Sequence, residues 1–269
     1  MSVLFDDTTV RLITAPLMAA ALAMARILAL TFILPVFTRL ELGVVLRGGI
    51  GLVLALPLAE PLAGTMTADA ALTATQLLLL MAKEVLAGLI LGLLIGVPFY
   101  AAEVAGDVLD LQRGATMAQV IDPTSGGTVS ITATLLSLVM IAVFFASGGQ
   151  GLMMEAIYDS YRLWPADAML PAFSAETPAL LLGLVDAVLS LGLVLVGPLV
   201  IALLVTDLVL ALLSRASPQL NAFDLSLAVK NLIVALLMTL YAAFLIAYLR
   251  DDLARLLDVG DMLRRLAPA

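Results

Sequence analysis

The chain has 269 residues, 63% of them hydrophobic and 13% charged, with a mean hydropathy of +1.15. A soluble domain is about half apolar and a quarter charged, so this composition excludes an ordinary water-soluble fold and places the chain in the membrane class. The sequence has no cysteine and no histidine, which removes disulfides, thiolate nucleophiles, imidazole acid-base chemistry and the usual zinc and iron ligand sets, and the net charge of -8 argues against nucleic acid.

Asp6 and Asp7 stand where a secretory signal carries basic residues, so the first apolar run is expected to be retained. That run, residues 12–37, carries one charge, Arg26, and is long enough to cross a hydrocarbon core; Pro35 ends or bends it. Residues 48–63 are apolar again, interrupted by Pro57, Glu60 and Pro61. The third apolar segment, residues 76–102, holds the pair Lys83 and Glu84, followed by Gly88, Gly92 and Gly96. Residues four apart lie nearly above one another on a helix, so Glu84 and the three glycines form one stripe on which another helix can approach closely. Packing within the chain and contact between subunits are both open from this motif; we take the stripe forward as a subunit-packing surface.

Residues 103–130 are the longest polar passage in the sequence. Glu103, Asp107 and Asp110 share a face if the third helix continues, and Arg113 follows one turn after Asp110. Asp122, Pro123, Thr124, Ser125 and Gly126 have turn composition. The plain alternative is a solvated loop between two helices. Residues 131–146 are uncharged, and residues 147–151 form a Gly-rich break. Residues 152–165 set Tyr158, Tyr161 and Trp164 beside charged residues, as membrane boundaries favour, and read as an interfacial anchor.

In residues 178–213, Gly197 and Pro198 divide the apolar run, leaving Asp186 in one half and Asp207 in the other. A charge at bilayer depth costs about 3 kcal/mol on insertion scales, so Arg26, Lys83, Asp186 and Asp207 are expected to be buried against protein or to face water. A polar connector over 214–230 precedes a final apolar run, residues 232–249. The tail, residues 250–269, is expected to be amphipathic, and its four arginines favour a cytoplasmic C-terminus. The expected fold is all-α: a polytopic hydrophobic protein of six apolar segments with broken helical hairpins. It reads as one membrane-embedded domain with a central polar loop, residues 103–130.

Six motifs, in order, resemble the FliR/SctT family of the type III secretion export apparatus. They are R-I-L-A-L-T-F-I-L-P from Arg26, Lys83-Glu84 with Gly88 and Gly92, G-D-V-L-D-L-Q-R-G from Gly106, D-P-T-S-G from Asp122, Y-D-S-Y-R-L-W-P from Tyr158 and S-P-Q-L-N-A-F from Ser217. The Q-R-G and Y-x-S-Y-x-x-W-P forms resemble the virulence branch, SctT, more than the flagellar branch, FliR. The resemblance implies a bacterial inner-membrane subunit that joins SctR-like and SctS-like chains in a hetero-oligomeric ring beside an SctU-like switch protein. Unfolded secreted proteins pass through that ring, lipid surrounds it, and no cofactor, metal or catalytic residue is expected. It also implies that the central loop lies in the pore as a plug, a role that falls on Asp110, Gln112, Arg113, Gly114, Asp122, Pro123, Thr124, Ser125 and Gly126. Such a loop acts as a movable gate if Asp110, Arg113 and Asp122 anchor it by ion pairs. The alternative from a different class is a proton-coupled secondary transporter using Asp186, Asp207 or Glu84. An enzyme is the least supported reading, since neither aspartate has the Gly-rich surroundings of an intramembrane aspartyl protease.

Overall fold

Pro35 sets the first helix boundary. In the computed structural model, which describes residues 7–40, 42–65, 73–115, 130–168, 177–217 and 222–254, helix α1 (Asp7–Ile33) stops one residue short of Leu34. Leu34 is extended (φ -68°, ψ 122°), and Pro35 opens the short helix α2 (Pro35–Thr38). A residue before proline is driven out of the helical region, while proline itself suits a first helical turn, where its missing N–H is not needed.

The remaining elements are α3 (Val44–Thr65), α4 (Ala74–Arg113), α5 (Ile131–Ala146), α6 (Gly149–Leu163), α7 (Thr177–Ala216) and α8 (Ala222–Ala254). No strand occurs among the described residues. Among the described residues, four helices are long and apolar enough to cross a membrane. With the broken α5–α6 pair and the shorter apolar stretch Val44–Ala59, they make up the six apolar segments that composition suggested.

Several local expectations are corrected. Pro57 and Pro61 lie inside a continuous α3, and Gly197-Pro198 does not divide α7, which runs unbroken for 40 residues. Each proline removes one backbone hydrogen bond, and the rest of the helical ladder continues around it. Residues 103–113 are helical and belong to α4 rather than to a loop, and α8 begins within the presumed connector. Tyr161 and Trp164 are core residues instead of an interfacial anchor, with Trp164 only 1% exposed. Asp122, Pro123, Thr124, Ser125 and Gly126, and the tail beyond residue 254, lie outside the described residues.

The fold consists of two compact units. One comprises α1 to α3, the first part of α4 and α6, with residues up to 96 and 149–184. Here α1 packs against α3, and Leu28 lies 3.1 Å from where a Cβ on Gly51 would sit. The fully buried Leu22, Ile27, Leu30, Leu80, Leu91 and Ile95 fill this unit. The other unit comprises the rest of α4, α5, most of α7 and α8. Its centre holds Phe99 edge-on to Phe144 at 5.4 Å, and Gly192 of α7 approaches the backbone of Ala101 and the side chain of Val104 on α4. Large apolar residues on α7 and α8, among them Leu193, Leu208, Leu232 and Leu240, are exposed on the single chain.

Candidate functional site

Two polar clusters stand out in this apolar chain. The first begins with Arg26, an arginine on α1 with no exposed surface. Its Nε donates to Glu84 Oε2 at 2.6 Å and its Nη2 to Oε1 at 3.0 Å, a bidentate pair joining α1 to α4. Nη1 donates to Ser160 Oγ and Nη2 also to the Trp164 carbonyl, both at 2.8 Å, while the guanidinium lies 3.7 Å from the centre of the Tyr161 ring. Lys83 approaches the same carboxylate at 2.9 Å. Its Nζ donates to the carbonyls of Pro165, Ala166 and Ala168 at 2.6, 3.0 and 2.9 Å.

This cluster therefore buries two cations against one carboxylate. The positive surplus is met by four backbone carbonyls just past the end of α6, where the helix dipole is negative, and by the face of an aromatic ring. A buried charge is tolerated only when it is paired and its donors are used, and both conditions hold here. Arg26 and Lys83 are both buried within the chain.

The glycine stripe answers to the same geometry. A Cβ on Gly88 would collide with the Arg26 carbonyl and lie 2.8 Å from the Ala29 Cβ; one on Gly92 would lie 3.0 Å from Ile33 Cγ2. Gly96 is buried as well. Glu84, Gly88 and Gly92 are thus occupied by α1 of the same chain, which corrects their assignment to a subunit-packing surface. Glycine there lets α1 come close enough for Arg26 to reach Glu84.

The second cluster lies where α4 ends and α5 begins. Gly114 closes α4 with φ +80°, a conformation that glycine adopts without strain. The Ala115 N–H donates to the Asp110 carbonyl at 3.0 Å and the Gly114 N–H to the Leu111 carbonyl at 3.1 Å, the paired bonds of a Schellman cap. Asp110, 3% exposed, faces the start of α5. Its Oδ2 accepts from Ser130 Oγ at 2.7 Å and from the Thr132 N–H at 3.2 Å, while Oδ1 pairs with Arg113 Nη2 at 2.7 Å. Ser130 in turn caps α5 by accepting from the Ala133 N–H at 3.0 Å. A carboxylate at a helix N-terminus meets orphan N–H groups and the positive end of the dipole. Asp110 consequently holds the end of α4 against the start of α5.

Gln112 is half-buried, and its carbonyl accepts from Lys230 Nζ at 3.1 Å. Lys230 also pairs with Asp207, whose side chain is 39% exposed. Asp186 is exposed, on a face of α7 that also exposes Leu182, Val185 and Leu189. Asp186 and Asp207 are thus not buried by the described residues of the chain. Ser160, Tyr161 and the carbonyls after α6 were missed as partners of Arg26, and Ser130 as a partner of Asp110. For Ser130 the signal was present: a serine immediately before an apolar run is a helix N-cap signature.

Residues 17–256 match the family described as bacterial export proteins, family 1. The chain belongs to that family. It is 34% identical over 253 residues to the Yop proteins translocation protein T of Yersinia pestis, covering 94% of this chain and 96% of that protein. It is 38% identical to the surface presentation of antigens protein SpaR of Salmonella typhimurium over 162 residues, 60% of each chain. The flagellar biosynthetic protein FliR of Pectobacterium carotovorum is 31% identical over 226 residues, 81% of this chain and 84% of that one. As the apolar helices and this family membership require, the chain is a multi-pass protein of the bacterial inner membrane.

Proposed function

We propose that the chain is a structural and gating subunit of a type III protein secretion export gate, helping to form the conduit for unfolded proteins across the inner membrane. The nearly full-length likeness to a Yop translocation protein supports the secretion branch over the flagellar one. Its partners in this reading are SctR-like and SctS-like subunits in a hetero-oligomeric ring, an SctU-like switch protein, lipid, and secreted chains in transit. The exposed apolar residues of α7 and α8 supply surface for such neighbours. The role is structural, without catalysis.

The observation that carries the gating part is the Asp110 clasp. A conduit for polypeptide must close against ions when empty and yield when filled, and the clasp joins the two helices that border the Gly-, Ser- and Thr-containing turn. Asp110, Gln112, Arg113 and Gly114 form its base, and Asp122, Pro123, Thr124, Ser125 and Gly126 form its plug. The test is ion conductance of the assembled complex in a planar bilayer. Deleting Thr124 to Gly127, or replacing Arg113→Glu, raises leakage while assembly persists; unchanged conductance in a correctly assembled complex removes the gating role. Copurification tests the wider reading: an export-gate subunit brings several different small membrane proteins with it, whereas a proton-coupled transporter is isolated alone or with copies of itself.

A further inference from the structure

One side chain brings both α7 and α8 to the end of α4. Lys230, on α8, donates from Nζ to the Gln112 carbonyl at 3.1 Å and pairs with Asp207 of α7 at 2.5 Å. Gln112 stands in the last turn of α4, where carbonyls have no intrahelical partner and the dipole is negative. An ammonium carries three protons, so Lys230 serves the carbonyl and the carboxylate together. One turn earlier on α8, Leu227 closes on the same place: its Cδ2 lies 3.0 Å from where a Cβ on Gly114 would be. Two residues of α8 thus grip the turn that also holds Asp110 and Arg113.

The two bonds of Lys230 are not equivalent. A partly exposed ion pair contributes little, because water screens it. The bond to Gln112 is charge-assisted and acts on a carbonyl with no other partner among the described residues, and the Lys230 side chain is only 12% exposed. The structure assigns Lys230 as a positioning residue that tethers α7 and α8 to the final turn of α4, with Asp207 orienting it. Displacement of either helix then reaches the Asp110 clasp through the Gln112 carbonyl. The tether stands on geometry alone, and its consequence for conductance rests on the proposed gating role.

Amide hydrogen exchange over residues 110–115, measured in the assembled complex, tests the tether, with bilayer conductance read alongside. In Lys230→Met the Gly114 and Ala115 amides exchange about tenfold faster, the size of one lost charge-assisted hydrogen bond. Lys230→Arg keeps them protected. The exchanged pair Asp207→Lys with Lys230→Asp preserves opposite charges but places no donor on Gln112, so it remains fast. Exchange in Lys230→Met equal to the unmodified complex overturns the tether, as does full restoration by the exchanged pair. If Lys230→Met does not assemble, Lys230→Gln serves instead: it removes the ammonium and shortens the side chain, exchange rises by a smaller factor, and no change overturns the tether. Fast exchange with unaltered conductance supports the tether and counts against the gating role.

Discussion

Arg26 and Glu84, 58 residues apart in sequence, meet as a bidentate pair in which neither side chain has any exposed surface. Removing one member of such a pair leaves a bare charge in an apolar interior, at a cost of about 3–5 kcal/mol, whereas replacing both with apolar residues of similar size costs far less. Glu84→Gln should therefore destabilise the detergent-solubilised protein strongly in thermal or denaturant unfolding, and because Lys83 shares the same carboxylate, only the triple replacement Arg26→Met, Lys83→Met and Glu84→Leu should recover most of the loss. Equal stability of the single and triple variants would contradict the pairing.

Glycine substitutions should divide by what faces them. A Cβ on Gly88 meets the Arg26 carbonyl, and one on Gly106 meets the backbone of Thr132 and Ala133. Backbone cannot swing aside, so Gly88→Ala and Gly106→Ala should each cost about 1–3 kcal/mol or more. Gly49 has nothing within 4 Å and lies inside α3. Gly49→Ala should accordingly be neutral or stabilising by up to about 1 kcal/mol. The same unfolding assay ranks all three.

Asp110 and Ser130 should be energetically coupled. Loss of the Ser130 cap in Ser130→Ala should cost about 1 kcal/mol, and Asp110→Ala, which removes two accepted hydrogen bonds and an ion pair, about 2–4 kcal/mol. A double-mutant cycle should return a coupling of at least about 0.5 kcal/mol. Strict additivity would show that the clasp contributes nothing beyond its separate parts.

Tyr161 acts through its ring. Its buried hydroxyl has no hydrogen-bond partner among the described residues, while its face lies against the Arg26 guanidinium. Tyr161→Phe should leave stability unchanged or raise it slightly, since an unsatisfied polar group is removed. Tyr161→Leu should lose about 2 kcal/mol of desolvated cation–π attraction. Equal losses in the two variants would assign the contribution to the hydroxyl.

What was legible in the sequence was set by patterns that act over short distances. Apolar segment lengths, Pro35 as a boundary and the pairing of Asp110 with Arg113 one turn later follow from local spacing, and the structure agrees. Arg26 was recognised as a charge needing company, yet nothing in the sequence said that its partners would be Glu84, Ser160 and the Trp164 carbonyl, because helix pairing over such separations is decided by tertiary packing. The same blindness put the glycine stripe between subunits: a small-residue face states that something approaches, and leaves open which chain it belongs to. Trp164 was misplaced for a related reason. Aromatic residues beside charges suit both a membrane boundary and a stacked buried cation, and composition alone does not separate the two.

Helices α4 and α7 each run for 40 residues, a contour of roughly 60 Å against a hydrocarbon layer about 30 Å thick. Neither can be accommodated upright within lipid along its whole course. One stretch of each must stand clear of the bilayer or lie obliquely across it, and in α4 the part that carries Glu103, Asp107, Asp110 and Arg113 is the part that gains most from water or protein around it. A chain whose hydropathy looks wholly suited to oil is thus obliged, by the reach of two of its helices, to carry some of its surface elsewhere.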